Sequence, residues 1–163
     1  MRTKIRYSRL DKEYHVLDGD EILASFPRGE KPQAEVWQLR HEAPEIADVA
    51  GFLGRKYPQL MGRAFRGGQI VAGGGVESSI PANGFYRVQS QTNEGEFYKV
   101  YFPKRLCKCM DWDNGHAGHQ YGAPVINGSP MCKHLCAVEI TGILERQEQE
   151  GRPTTGEEKE RGG

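Results

Sequence analysis

All four cysteines of this chain lie within thirty consecutive residues, CKCMDWDNGHAGHQYGAPVINGSPMCKHLC at 107–136, which also contain three of the five histidines. The candidate ligands form two close pairs, Cys107-Lys-Cys109 and Cys132-Lys-His134. Structural zinc is held by four thiolate or imidazole ligands at tetrahedral corners, and residues two apart on an extended segment share one face. The pattern therefore predicts that one Zn²⁺ joins two segments that are distant along the chain.

Cys136 provides a rival ligand to His134. On an α-helix, residues four apart face the same side whereas residues two apart do not, so Cys132 would pair with Cys136 if both lay in a helix. His134 is the better candidate if Cys132 precedes the helix and His134 lies in its first turn. The residues alone leave both ligand sets open.

A disulfide framework is the other use of four cysteines, which allow three pairings. Cys107 and Cys109 are too close along the chain for an unstrained mutual bond.

The start, MRTKIRYSRLDKEYHV, has no apolar stretch behind its charges, so a secretory signal is not expected. No segment approaches the roughly 18 apolar residues of a membrane helix. We therefore expect a cytoplasmic protein with reduced cysteines that bind metal, and no membrane partner.

The net charge of the chain gives no indication of an anionic partner, but one segment contains an excess of basic residues. The 22 basic and 22 acidic residues balance, so net charge favours neither nucleic acid nor a membrane as a partner. Within 61–110, however, seven basic residues accompany three acidic ones. This excess indicates an anionic partner weakly, because an ordinary solvated face has the same composition.

The first 57 residues are predicted to form a small α+β module. Residues 14–26 indicate a β-hairpin, because Asp18-Gly19 is a two-residue turn signal between runs of strand-forming residues. Proline suits the first position of a helix, since its missing N–H has no partner there. Three helical patterns each begin at a proline, namely Pro32, Pro44 and about Pro58.

A second β-hairpin is predicted at 84–91 and 96–102, joined by the turn TNEG. The two strands alternate at period two, so each has a core face and an outer face. The core face carries Tyr86, Val88, Tyr98, Val100 and Phe102. The outer face carries Phe85, Arg87, Gln89, Phe97, Lys99 and Tyr101. The outer face mixes aromatic and basic groups, which stack on bases and neutralise phosphates. The alternative is a half-covered sheet whose outer aromatics pack under a loop.

The polar, glycine-rich stretch after Cys109 is predicted to be a loop as far as Pro130. Trp112 is expected to pack beside the metal. His116 and His119 are expected to be exposed loop residues, because DNGHAGHQYGAP has turn chemistry.

The C-terminal part is predicted to contain one helix and a tail. The helix starts near MCKHLC and carries apolar residues as far as about residue 145. Residues 147–163 have no apolar side chain to bury and are predicted to be disordered.

The order of these features resembles the SWIM-type zinc finger, in which C-x-C, a variable gap and C-x-H follow a β-hairpin and precede a helix. The segments CKCMDW, GAP and CKHLCAV also resemble that family, and the resemblance covers about residues 63–145. The resemblance implies an α+β finger region, residues 58–146, that binds DNA or protein. It also implies that Cys136 is a small buried residue and that structural Zn²⁺ is held by Cys107, Cys109, Cys132 and His134.

No catalytic motif accompanies the cysteines, and we do not expect an enzyme. Four good ligands close the zinc shell, and three thiolates with one imidazole make the metal a poor Lewis acid. The His-x-Glu element of zinc deaminases and the lysine of a phosphate-binding loop are missing from the sequence. Asp111 and Asp113 are near in sequence to the ligands, and they keep a hydrolytic site open as an alternative.

Two functions follow as hypotheses. The first is nucleic-acid binding, above all of DNA, by cationic residues around the second hairpin: Arg87, Lys99, Lys104, Arg105 and Lys108. The second is protein interaction, in which zinc stabilises the fold and the hairpin or the region of Trp37 contacts a partner; the chain is then an adaptor or an accessory subunit. The SWIM resemblance favours the first, and the neutral net charge favours the second.

Overall fold

The computed structural model describes residues 1–80 and 83–151. It confirms the predicted α+β class, because within these residues five α-helices accompany three small antiparallel sheets. No helix in this part of the chain is long and apolar enough to cross a membrane.

The N-terminal sheet has three antiparallel strands in sequence order, β1 (Lys4–Ser8), β2 (Glu13–Asp18) and β3 (Glu21–Pro27). The predicted first hairpin is the β2–β3 pair, and Gly19 at its turn has a φ of 60°, which glycine adopts without a steric cost. Strand β1 was not predicted, and in the structure it extends the hairpin to a three-stranded sheet. Its residues KIRYS alternate polar and apolar side chains at the period of a strand, a signal that sequence reasoning missed, and none of the five is fully buried.

Three helices follow, α1 (Lys31–Glu42), α2 (Pro44–Lys56) and α3 (Met61–Ala72), the last after a 3-10 turn at Pro58–Leu60. Each predicted proline lies in the first turn of its element. Helices α2 and α3 pack against the last helix of the chain, α5 (Lys133–Gly151), and α1 packs against α2 and α3. The resulting helical layer buries Leu39, Ala47, Val49, Ala50, Leu53, Ala64, Phe65 and Ile140.

The helical layer crosses the module boundary predicted at residue 57. Leu39 and Leu53 lie before the boundary, Phe65 and Ile140 lie after it, and all four belong to one buried cluster. The division at residue 57 therefore does not coincide with a gap in the packing, and it stays a prediction about which parts can fold independently.

The second sheet is antiparallel, with the order β4 (Val76–Ile80), β5 (Phe85–Gln89), β6 (Phe97–Tyr101) and β7 (Leu106–Cys107). Its centre, β5–β6, is the second predicted hairpin. The edge strands β4 and β7 extend it on both sides, and β7 delivers the first of the clustered cysteines.

The two faces of the second sheet are as predicted. Val88 and Val100 on the core face are fully buried, and Tyr86, Tyr98 and Phe102 pack against the same buried cluster. The residues of the outer face are all exposed or half-buried. Strict alternation thus identified the buried side correctly.

The stretch predicted as a loop after Cys109 contains regular elements, so that prediction is wrong in part. Met110–His116 form a short helix, α4, and Val125–Ile126 with Ser129–Pro130 form a small hairpin, β8–β9. Helix α4 is capped by Cys109, whose Sγ accepts a hydrogen bond from the backbone N–H of Trp112 at 3.4 Å. Two aspartates in its first turn also suit the positive end of the helix dipole.

Helix α5 continues past the end predicted near residue 145. Residues 147–151 are helical rather than part of the tail, because QEQE are good helix formers and can extend an existing helix without a buried face. The remainder of the predicted tail, 152–163, lies outside the described residues.

Helices α3 and α5 lie close together because Gly67 has no side chain. A Cβ at Gly67 would lie 2.9 Å from the carbonyl oxygen of Lys133, 2.9 Å from the backbone nitrogen of Ala137 and 3.0 Å from the Cβ of Cys136. Contacts this short with backbone atoms would require the two helices to separate. Gly67 therefore sets the position of α5 against the helical layer.

We expect Gly67→Ala to lower the free energy of unfolding by about 1–3 kcal/mol, because overpacking moves helix backbone. Gly142→Ala is the matched control within α5, since its Cβ would meet the flexible end of Arg146 at 3.5 Å. That control should be neutral or stabilising by up to about 1 kcal/mol. Urea unfolding of both variants, followed by circular dichroism, measures the difference. Equal stabilities would contradict the close approach at Gly67.

Candidate metal centre

The structure brings the two predicted ligand pairs together. The sulfur atoms of Cys107, Cys109 and Cys132 and a ring nitrogen of His134 all lie within 4.8 Å of one another, and all four residues are buried. This arrangement can hold a metal ion.

Each pair of candidate ligands lies at the end of a helix or strand. Cys107 is the last residue of β7 and pairs with Val100 of β6, and Cys109 caps α4 two residues later. Cys132 directly precedes α5, and His134 is the second residue of that helix. His134 therefore lies in the first turn with Cys132 ahead of it, which is the condition under which a C-x-H pair can share one metal.

The distances in the cluster fit a tetrahedral ion. With Zn–S bonds of about 2.3 Å and Zn–N bonds of about 2.0–2.1 Å, the S···S and S···N edges of a regular tetrahedron are about 3.8 and 3.6 Å. Nδ1 of His134 lies 3.8 Å from Sγ of Cys107, close to one such edge. Nε2 of His134 is buried without a hydrogen-bond partner. The imidazole thus has no strong protein partner on either nitrogen, and a cation at the centre of the cluster would supply one.

The three sulfur atoms of the cluster cannot all be charged in a buried site without a cation. Hydrogen bonding with Cys109 raises the pKa of Cys107 to about 12, and hydrogen bonding with both neighbours raises the pKa of Cys132. The pKa of Cys109 is lowered, because its thiolate accepts hydrogen bonds from Cys107 and Cys132. The protein alone thus stabilises one thiolate, and a divalent cation would stabilise all three.

Cys136, the rival ligand, is not among the four residues whose ligand atoms meet in this cluster. It lies against α3, where its Cβ would be 3.0 Å from a Cβ at Gly67. Burial raises its pKa to about 12, as expected for a neutral thiol that packs as a small apolar side chain.

Trp112 lies beside the cluster, as predicted. Its backbone N–H donates to Sγ of Cys109, its indole N–H donates to the carbonyl oxygen of Arg105 at 2.9 Å, and its ring packs against the buried core. His116 and His119 are exposed, and neither belongs to the cluster. The ring of His116 stacks on Trp112, with 5.1 Å between their centroids.

An ion pair that sequence reasoning missed ties the segment between the ligand pairs to α3. Nε and Nη2 of Arg63 each donate to an oxygen of the Asp111 carboxylate at 2.8 Å, and Nη2 also donates to the carbonyl oxygen of Tyr121 at 3.3 Å. This hydrogen bonding raises the pKa of Arg63. Recognising α4 in the sequence would have placed Asp111 in its first turn. The Asp111 carboxylate is fully engaged here, which argues against its use as a hydrolytic base.

The five cationic residues expected at a nucleic-acid interface do not form one patch. Arg87 and Lys99 lie on the outer face of the second sheet, where they line one groove. Lys104 and Arg105 line another groove. Lys108 is exposed between the first two ligands.

The guanidinium of Arg105 is engaged within the protein. It donates to the carbonyl oxygen of Phe102 at 2.8 Å, lies 4.0 Å from the centre of the Phe102 ring, and is 4.0 Å from the Glu139 carboxylate. Arg105 is therefore a weaker candidate for phosphate binding than Lys104, which is exposed.

A serine–histidine–aspartate row in the N-terminal sheet also escaped sequence reasoning. Nδ1 of His15 lies 2.8 Å from Oγ of Ser25, and Nε2 lies 2.9 Å from a carboxylate oxygen of Asp11. In hydrolase triads the nitrogens are reversed, with Nε2 towards serine, and the aspartate is buried, whereas the Asp11 side chain is 52% exposed. We interpret the row as a structural link between the β1–β2 turn and β3.

Comparisons with protein-family models, with curated proteins and with solved structures find no match to this chain. The cluster is therefore a candidate metal site by its own geometry, and geometry alone does not assign it to a family.

We expect the purified protein to contain one zinc ion per chain, and two variants distinguish the ligand sets. His134→Ala removes a ligand, so its zinc affinity should fall by more than the roughly 10- to 100-fold typical of outer-shell changes. Cys136→Ala should keep its zinc. Metal analysis and competition with a chromogenic chelator measure both effects. Zinc loss in Cys136→Ala alone would move the site to four cysteines, and a metal-free wild type after zinc-replete purification would exclude the site.

Removing the Arg63–Asp111 pair should destabilise the segment between the ligand pairs. Asp111→Asn keeps the shape and removes the charge, and we expect a loss of about 1–2 kcal/mol in unfolding free energy for this partly exposed pair. Asp113→Asn removes the same charge from the same helical turn, where the side chain is exposed, and should change stability by less than about 0.5 kcal/mol. Urea unfolding of both zinc-loaded variants measures the difference. Equal effects would assign the loss to the helix dipole instead of the ion pair.

Proposed function

We propose that this chain is a SWIM-type zinc module that binds nucleic acid, and DNA in particular. The observation that carries the proposal is a pair of cations, Arg87 and Lys99, which lie directly opposite each other on neighbouring strands of the exposed sheet face. Like charges in this position destabilise a sheet. Glu77 lies beside Arg87 and offsets one of the two charges, and an anionic ligand would offset the other.

The zinc in this proposal is structural, and the chain is not an enzyme. Three thiolates and an imidazole fill the tetrahedral shell, so no position is left for water or substrate. When bound, the ion would supply a cross-link between β7 and the start of α5. The ligand residues are buried, which also separates the metal from solvent.

The metal cross-link supports the proposed binding face through the sheet. Strand β7, which carries Cys107, pairs with β6, which carries Lys99 on its opposite face. Holding β7 against α5 therefore holds the inner side of β6. Binding of nucleic acid should accordingly depend on the metal, although the metal does not contact the ligand.

Two further cations, which lie apart from the Arg87–Lys99 pair, are also available for phosphate contacts. Lys104 follows β6 in a 3-10 turn, and Lys108 lies between Cys107 and Cys109; both side chains are exposed. Their positions suit contacts with phosphates beside the main face. Such contacts add affinity without adding sequence specificity.

Protein interaction is the second candidate, and a different surface supports it. An open groove of about 430 Å³ runs between α1, α3 and β3, and most of its lining is apolar, including Phe26, Val36, Trp37, Met61 and Phe65. In this reading the zinc stabilises the fold, and the groove receives a protein partner. Binding would then be insensitive to salt, in contrast to binding of nucleic acid.

The salt dependence of DNA binding tests the first proposal. Each lost phosphate contact reduces the slope of log K against log salt concentration by about 0.7–0.9, so the double variant Arg87→Gln/Lys99→Gln should reduce it by about 1.4–1.8. The matched control, Arg28→Gln/Lys31→Gln, removes two exposed cations of the N-terminal part and should leave the slope unchanged. Fluorescence anisotropy with labelled DNA at several salt concentrations measures the slopes. Equal slopes in both double variants, or binding that survives chelation of zinc, would refute the proposal.

A further inference from the structure

We infer that the outer face of the second sheet selects single-stranded nucleic acid, with unpaired bases stacking beside Phe85 and Phe97; this inference rests on the nucleic-acid function proposed above. The binding surface is an open groove of about 350 Å³, which we call the outer groove. It is lined by Ser79, Phe85, Arg87, Phe97 and Lys99.

The strand register places aromatic and cationic side chains in alternating rows across the outer face. Phe85 pairs with Tyr101, Arg87 pairs with Lys99, and Gln89 pairs with Phe97. The cationic row therefore lies between two rows that each contain a ring. Successive rows along a strand are about 6.6–6.8 Å apart. Aromatic planes and cations thus alternate, as they must if bases and phosphates of one strand are to be bound together.

The rings of the outer groove are covered by the cations instead of by apolar side chains. The guanidinium carbon of Arg87 lies 4.2 Å from the centre of the Phe97 ring, and Nζ of Lys99 lies 4.9 Å from the centre of the Phe85 ring. Phe97 is 39% exposed. Tyr101 supports Phe85 from the side, with their ring centroids 4.6 Å apart. A base can stack on the planar guanidinium or on the exposed part of a ring, while the charges remain near its phosphate.

The planar lining favours unpaired bases over other anionic ligands. In a duplex both faces of each base are covered by its neighbours, so protein rings can reach them only after unstacking. An acidic peptide would satisfy Arg87 and Lys99 and leave the ring planes without a stacking partner. A single strand satisfies both the charges and the rings.

Glu77 is the one acidic neighbour of the cationic row among the described residues of strands β4, β5 and β6. Its carboxylate lies 3.5 Å from Arg87, its cross-strand partner, and both side chains are more than half exposed. A phosphate that approaches Arg87 competes with this carboxylate. Glu77→Gln should therefore tighten binding of single strands, whereas a purely structural ion pair would give no such gain.

The test compares three probes with the zinc-loaded protein: a deoxythymidine oligonucleotide, an abasic phosphodiester strand of the same length, and a duplex. We expect the oligonucleotide to bind roughly 5- to 150-fold more tightly than the abasic strand, the range expected for stacking of one base. Phe97→Leu should remove most of this difference, because it should weaken binding of the oligonucleotide much more than binding of the abasic strand. Tyr121→Leu is the matched control, because Tyr121 is an exposed aromatic residue outside the groove.

Each contrary outcome overturns a different statement. Equal affinities for the oligonucleotide and the abasic strand in the wild type would exclude base stacking, even if a leucine variant folds poorly. Binding of duplex that is as tight as binding of single strand, and is unaffected by Phe97→Leu, would overturn this inference and leave the nucleic-acid function standing. Polyglutamate is measured as a competitor, and tighter binding of polyglutamate than of all three probes would assign the groove to an acidic protein. Failure of all probes to bind would overturn the proposed function itself.

Discussion

The structure depends on the meeting of two ligand pairs at one buried point. Cys107 and Cys109 arrive from the edge of a sheet, and Cys132 and His134 arrive from the start of a helix. Three thiolates and an imidazole buried side by side need a partner for their charge and lone pairs, and a divalent cation would be a partner for all four. The buried cluster around them contains every cysteine of the chain, so the candidate metal site lies within the hydrophobic core.

Helix α5 connects this core to the helical layer. Its first turn carries His134, its next turns contribute Leu135 and Val138 to the metal-side cluster, and Ile140 belongs to the cluster of α1–α3. Gly67 brings the helix close enough for both contacts. The candidate metal site and the N-terminal helices are consequently connected by one helix that packs in both buried clusters.

The features that could be predicted from the sequence are those that follow from local periodicity and spacing. Alternation gave the β5–β6 hairpin with its buried valines, and C-x-C with C-x-H gave the residues that converge at the metal site. The features that could not be predicted depend on distant contacts. Helix α4 exists because a ligand sulfur caps it and because Arg63, far away in the chain, binds Asp111. Strand β1 is an exception, since Ile5 and Tyr7 alternate with polar residues and its pairing with β2 could have been predicted locally.

The placement of charged residues likewise could not be predicted from composition, because it depends on contacts made in the fold. Net charge is zero, and residues 61–110 contain a local excess of basic residues. In the fold they separate: Arg63 holds Asp111, Arg105 binds within the protein, and Arg87 and Lys99 meet on the outer face.

The position of Trp112 has an optical consequence. Its backbone N–H donates to the sulfur of Cys109, and its indole N–H donates to the carbonyl oxygen of Arg105 in the turn before the cysteines. The fluorescence of this tryptophan should therefore report whether the candidate metal centre is formed.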